Sequence, residues 1–121
     1  MGVSITDPIK LADLVLALAV SGIGEMVFVE PSPTPGSYAI TCERGNEVVK
    51  SIVIDETVAH ATIARLAIIA KLDLATTHAI GGVVHAKVGQ DDGEVVVTLR
   101  PGARLRADVA PLPITTTRLP R

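Results

Sequence analysis

The stretch GEMVFVEPSPTPGSYAITCERGNEVVKSIVID, residues 24–55, decides the fold because three strand-forming runs alternate with two turn signals. The first run must end near Glu30, since the following segment contains three prolines and a glycine that cannot support a ladder of hydrogen bonds. The second run alternates and places Tyr38, Ile40 and Cys42 on one face. Together the runs predict an antiparallel meander with strands near 25–29, 37–42 and 47–54.

Helix signals stand on both sides of this meander. Asp7 followed by Pro8 is a strong helix start, because Asp accepts bonds from the first turn and Pro has no N–H to leave unpaired. Apolar residues recur at helical spacing from 11 to 20. Asp55 should cap a second helix that ends at about Lys71. Its buried stripe is predicted to contain Ile63, Leu66, Ala67 and Ala70.

The second half of the chain predicts a hairpin and one more strand. Residues 80–88 and 94–99 form strand-like runs on either side of an Asp92-Gly93 turn signal. In residues 104–109, charged and apolar side chains alternate, which indicates an outer strand with one solvated face.

These elements predict a single α+β domain over residues 1–110. Its antiparallel sheet of about five to six strands is expected to have two helices packed on one face. Residues 111–121 have two prolines and no periodicity, so they are predicted to be a flexible tail.

Composition limits the possible partners. A net charge of −2 and a near absence of aromatic residues argue against a nucleic-acid binder, although five arginines gather after position 99 and indicate a solvated edge and tail. The single cysteine, Cys42, excludes an internal disulfide and suits a reducing cytoplasm. Residues 1–10 have no signal-peptide pattern, and the apolar run 14–20 is too short to span a membrane.

Motifs for catalysis or cofactor binding are missing from the sequence, so we predict no cofactor and no enzyme activity. There is no phosphate loop, and Gly22-Ile23-Gly24 follows a helix where a dinucleotide motif must follow a strand. His60, His78 and His85 lack metal-binding spacing. Cys42 is expected to be a buried small hydrophobe.

The order of several short motifs resembles the second N-terminal domain, a PAS-like domain, of the type II secretion and type IV pilus assembly ATPases. The first strand ends in Val27-Phe28-Val29-Glu30-Pro31, as in that family. The second helix continues as RLAIIAKLDL, residues 65–74, and the hairpin ends in VTLRP, residues 97–101. The resemblance spans residues 8–110 and implies a domain that packs against a neighbouring ATPase domain.

The resemblance also implies arginines that reach nucleotide phosphates, but this sequence has other residues there. Thr77-His78 stands in place of an expected arginine pair, and single arginines are expected near Val83 and at Val96. Since valine cannot bind phosphate as arginine does, a nucleotide role is not expected.

The leading hypothesis is a non-catalytic protein-interaction or assembly module, which binds a secretion or pilus ATPase or a second copy of itself. A PAS-like small-ligand sensor is the alternative, because Gly81-Gly82 would let a ligand approach the backbone. An enzyme with an unrecognised site is a third possibility. The candidate interaction surface consists of Glu30, Arg65, Lys71, Asp73, His78 and Arg100.

Overall fold

The computed structural model describes residues 7–112, apart from the side chain of Val88. Within this range, two helices and six strands follow the order α1, β1, β2, β3, α2, β4, β5, β6. Their bounds are α1 Pro8–Val20, β1 Met26–Pro31, β2 Ser37–Arg44, β3 Glu47–Asp55, α2 Glu56–Ala70, β4 Ile80–Val88, β5 Asp91–Arg100 and β6 Arg106–Pro111. The strands form one antiparallel sheet against which both helices pack, so the predicted α+β fold is confirmed.

Both helices begin at the predicted caps. The Asp7 carboxylate accepts a hydrogen bond from Ile9 N at 2.9 Å, and the Asp55 carboxylate accepts one from Thr57 N at 2.9 Å. These bonds satisfy N–H groups of the first turn that have no partner inside the helix. At its other end α2 stops at Lys71, which adopts a left-handed conformation with φ 60°. The starts of both helices and the end of α2 are therefore determined by residues at those positions.

The core lies between the two helices and one face of the sheet. Its side chains are almost all aliphatic, and Tyr38 is the largest that is fully buried. Along β2 the predicted face of Tyr38, Ile40 and Cys42 is buried. Because successive strand residues point to opposite faces, the intervening residues form the other face of the sheet.

The position of β6 corrects one prediction. The sheet order is β3-β2-β1-β6-β5-β4, so β6 lies between β1 and β5 and is not an outer strand. Alternation of polar and apolar residues reports which face of a strand is buried, and says nothing about the number of its neighbours. Asp108, expected to be solvated, is only 5% exposed as a result.

The turn between β4 and β5 also differs from the prediction. Val88 lies opposite Asp91, so the chain reverses at Gly89 and Gln90. Gly89 has φ 60°, which suits the first central position of a two-residue hairpin turn. Gly93 lies inside β5 opposite Ala86.

Part of the predicted tail lies outside the described residues. Pro111 belongs to β6, and Leu112 N donates a hydrogen bond to the Glu94 carbonyl at 2.8 Å. Residues 113–121 are not described.

Candidate functional site

The sheet has one face without a helix in the described part of the chain, and we call it the open face. Residues that lie directly opposite each other in an antiparallel pair share a face, so the strand register identifies its members. They include Phe28, Glu30, Ala39, Thr41, Val53, Val83, Val96, Thr98, Arg100, Arg106, Asp108 and Ala110.

One row of the open face is apolar. Val96 lies opposite Val83 on one side and opposite Ala110 on the other. Val83 is 56% exposed, whereas Val96 and Ala110 are half-buried. Side chains at such positions are about 4.5–5.5 Å apart at Cβ, so they form a continuous apolar strip.

A buried carboxylate lies at the centre of the same face. Asp108 lies between Phe28 on β1 and Thr98 on β5. Its Oδ2 accepts a hydrogen bond from Arg100 Nε at 2.5 Å, while its buried Oδ1 has no partner among residues 7–112. A buried carboxylate is costly unless it is paired, so Arg100 stabilises the charge of Asp108.

Glu30 and Arg106 form a second ion pair on the open face. Arg106 Nη2 donates to Glu30 Oε1 at 3.1 Å. Burial raises the pKa of Glu30 above its ordinary value of 4.5, and the positive charge of Arg106 opposes that increase. Together with Arg100 and Asp108, this pair gives two positive and two negative charges that are paired with each other.

A third arginine joins α2 to the connection between β5 and β6. Arg104 donates to Glu56 at 3.2 Å and lies over the Tyr38 ring, 5.2 Å from its centroid. The buried Tyr38 hydroxyl donates to the Leu105 carbonyl at 2.7 Å and lies 3.1 Å from His60 Nε2. Since the hydroxyl has one proton, His60 must donate to it through Nε2–H. This cluster holds the start of α2 against the sheet.

The arginine-rich segment is therefore part of the packed structure. Arg100, Arg104 and Arg106 are each paired with a carboxylate, and their side chains remain partly exposed. Arg118 and Arg121 lie outside the described residues.

The structure divides the predicted interaction surface into two groups. Glu30 and Arg100 lie on the open face, one in each of the two arginine–carboxylate pairs described above. The other four residues belong to α2 and the segment after it, and α2 packs on the opposite face of the sheet: Arg65, Lys71, Asp73 and His78.

The two loop residues of that group form local bonds. Asp73 Oδ1 accepts from Ala75 N at 2.9 Å, and His78 Nδ1 lies 2.9 Å from Thr77 Oγ1. No ion pair joins Asp73 to His78 within residues 7–112. These contacts stabilise the loop.

Candidate reactive groups lie apart from one another. Cys42 is fully buried, and this burial raises the pKa of its thiol despite the nearby charges of Arg44 and Lys50. His85 pairs with Asp92 at 2.5 Å at an exposed position of the β4–β5 hairpin. Within the described range, no three His, Cys, Asp or Glu side chains gather in a way that could hold a metal ion.

A groove of about 450 Å³ lies between the helices and β4, and we call it the β4 groove. It is lined by Asp13, Leu16, Ile69, Val84, His85, Ala86, Lys87 and Gly89. The nearby Gly82 is needed for packing, because a Cβ there would lie 2.6 Å from the Ala70 carbonyl oxygen. Its small size serves the contact between β4 and α2.

No helix in residues 7–112 is long and apolar enough to cross a membrane. Comparison of the sequence with protein-family models and with curated proteins finds no match. The resemblance to the secretion and pilus ATPase domain stays a prediction.

Proposed function

We propose that this domain is a non-catalytic protein-interaction module that binds a partner protein through the open face. The observation on which the proposal rests is the apolar strip of Val83, Val96 and Ala110 on a sheet face that no described helix covers. An exposed apolar surface rimmed by polar residues is typical of protein-binding sites. Polar residues lie on both sides of the strip: Asp108, paired with Arg100, on one side, and His85 opposite Glu94 on the other.

The resemblance to the secretion and pilus ATPase domain favours the same face as the binding surface. Two of the arginines expected to reach nucleotide fall near Val83 and at Val96, and these two positions lie directly opposite each other on β4 and β5. An apolar pair at this place favours contact with a protein surface over contact with phosphate.

The resemblance also indicates the first partner to test, which is a secretion or pilus ATPase. A cytoplasmic location, predicted from the lone cysteine, belongs to the same proposal. Arg100 and Arg106 on the open face are each paired with a carboxylate, so binding should depend on the apolar strip more than on attraction by these arginines.

A binding experiment with matched variants tests the proposal. The purified chain is immobilised and exposed to a secretion or pilus ATPase from the same organism. Val96→Glu alters the centre of the apolar strip, and Ile68→Glu alters a side chain that is 66% exposed on α2. Thermal melts establish that both variants are folded.

We expect the unaltered chain and Ile68→Glu to retain the ATPase, and Val96→Glu to lose it. Burial of a charge without a partner at an interface is strongly unfavourable, so the loss should exceed roughly tenfold in affinity. Equal retention by all three chains, or by none, would contradict the proposal.

A further inference from the structure

The two edges of the sheet have the strand directions needed to pair with each other. Among residues 7–112, β3 and β4 are the outermost strands, and neither has a partner on its outer side. Six strands that all alternate in direction leave β3 antiparallel to β4. If a second copy is translated sideways in the plane of the sheet, its β4 therefore lies antiparallel to β3 of the first copy. The helices of both copies then lie on the same face of the combined sheet.

The outward direction of β3 follows from hydrogen bonds of β2. The Ser37 carbonyl accepts a hydrogen bond from Ser32 N at 3.1 Å, so the backbone N–H and C=O of Ser37 point toward β1. Those of the next residue, Tyr38, point toward β3. Ile54 lies opposite Tyr38 and directs its backbone groups back to β2. The N–H and C=O of Val53 consequently point away from the sheet.

The same reasoning applies to β4. Leu112 N donates a hydrogen bond to the Glu94 carbonyl at 2.8 Å, so the backbone groups of Glu94 point toward β6. Those of Val95 therefore point toward β4. Val84 lies opposite Val95 and directs its backbone groups to β5. The N–H and C=O of Val83 therefore point away from the sheet, as those of Val53 do at the other edge.

We propose that copies of this chain associate head to tail, with β3 of one copy added beside β4 of the next. In this pairing Val53 lies opposite Val83 of the next copy, and both direct their hydrogen-bonding groups across the contact. Val53 is 70% exposed and Val83 is 56% exposed, so the contact covers apolar side chains at both edges. Ile52 then lies opposite Val84, on the face that carries the helices.

The charges at the end of this contact are complementary. Lys50 falls opposite Ala86 of the next copy, at the β4 groove, whose lining includes the Asp13 carboxylate. Neither Lys50 nor Asp13 has an ion pair with another described residue. Val49 is an extra residue in the register with β2, so the regular edge of β3 ends at Lys50.

The contact joins two different edges, which makes it heterologous. Such an interface leaves one free β3 and one free β4 after each addition, so growth continues beyond a dimer unless the chain of copies closes into a ring. This inference goes beyond the proposed function because it uses the sheet edges and leaves the strip centre at Val96 uncovered.

Sedimentation of two charge variants, alone and mixed, tests the proposal. Val53→Lys alters only β3, and Val83→Glu alters only β4. Each variant alone places a charge against valine, whereas a mixture allows lysine at 53 to face glutamate at 83 and leaves the remaining edges unaltered. The unaltered chain is measured up to about 1 mM, where even millimolar affinities populate the complex.

We expect the average mass of the unaltered chain to rise with concentration and to pass that of a dimer. Each variant alone should need roughly tenfold more protein for the same mass, and the mixture should recover most of the loss. Val96→Glu should associate normally, which separates this result from a failure of the proposed function. A monomer at all concentrations, a mass that stops at a dimer, or a mixture no better than its components would overturn the proposal.

A second pair of variants checks the charge contact. Lys50→Glu should weaken association by about threefold, as expected for an exposed ion pair, and Asp13→Lys in the same chain should restore it. If the double variant associates no better than Lys50→Glu alone, Lys50 does not lie beside Asp13 in the assembly and this register is wrong.

Discussion

Gly81 and Gly82 are adjacent in β4, yet a methyl group would meet different surroundings at the two positions. At Gly82 it would lie 2.6 Å from the Ala70 carbonyl oxygen, whereas at Gly81 the nearest atom, Thr98 Oγ1, is 3.4 Å away. We expect Gly82→Ala to reduce the free energy of unfolding by roughly 1–3 kcal/mol, because backbone must move. Gly81→Ala should change it by less than about 1 kcal/mol. Urea unfolding of both variants checks this, and equal losses would argue against the packing role of Gly82.

Glu30 makes the stability of the domain depend on pH. Burial raises its pKa above 4.5 in the folded chain, so the folded chain binds this proton more tightly than the unfolded chain does. The resulting stabilisation is lost at neutral pH, increases as pH falls through the raised pKa, and is complete below 4.5. Relative to Glu30→Gln, the chain with Glu30 should therefore gain unfolding free energy on acidification. Urea titrations of both chains at several pH values measure this difference, and a decrease on acidification would contradict the assignment.

At the residue scale, the sequence predicts local bonds and misses distant ones. Asp55 was predictable as a cap because its target, Thr57 N, is two positions away. The partner of Arg106 is Glu30, 76 positions away, and only the fold brings them together. For this reason the sequence alone indicates a solvated edge and tail for the arginine-rich segment.

The end of α2 carries backbone strain that a substitution can remove. Lys71 has φ 60° and ψ 43°, a left-handed conformation that costs about 1–2 kcal/mol for a residue with a Cβ. We expect Lys71→Gly to raise the free energy of unfolding by roughly 0.5–1 kcal/mol, since glycine adopts this conformation freely but loses more entropy on folding. Ala61→Gly, at an exposed position inside the same helix, should lower it by about 1 kcal/mol. Thermal melts measure both changes, and a loss of stability in Lys71→Gly would be inconsistent with strain at this cap.

At the element scale, periodicity predicted the helices and strands well. The stripe of Ile63, Leu66, Ala67 and Ala70 is buried as expected. The sequence predicts the turn at Asp92-Gly93 because this pair is a strong signal taken alone. The long pairing of β4 with β5 instead fixes the reversal at Gly89 and Gln90. Local turn preference yields to the register of a hairpin with many cross-strand pairs.

At the scale of the whole molecule, strand order determines the function that we propose. The open face exists because both helices pack on one side, and its apolar strip exists because β6 places Ala110 next to Val96. The sequence predicts that both helices pack on one side. It does not predict that Ala110 lies next to Val96, because its pattern indicates β6 as an outer strand. Only the observed order identifies β3 and β4 as the outermost strands among residues 7–112 and makes head-to-tail association testable.

Binding of a protein to the open face is the central claim, and cysteine labelling tests it most directly. Cys42 is buried with a raised pKa, so it should react slowly and leave a low background. Val96→Cys reports the open face, and Ile68→Cys reports the exposed surface of α2. Alkylation rates are measured in the purified chain and inside the cells that produce it naturally. The account predicts that cysteine at 96 is protected several-fold more in cells than in the purified chain, while cysteine at 68 reacts alike in both. Equal protection at both positions, or at neither, would contradict it.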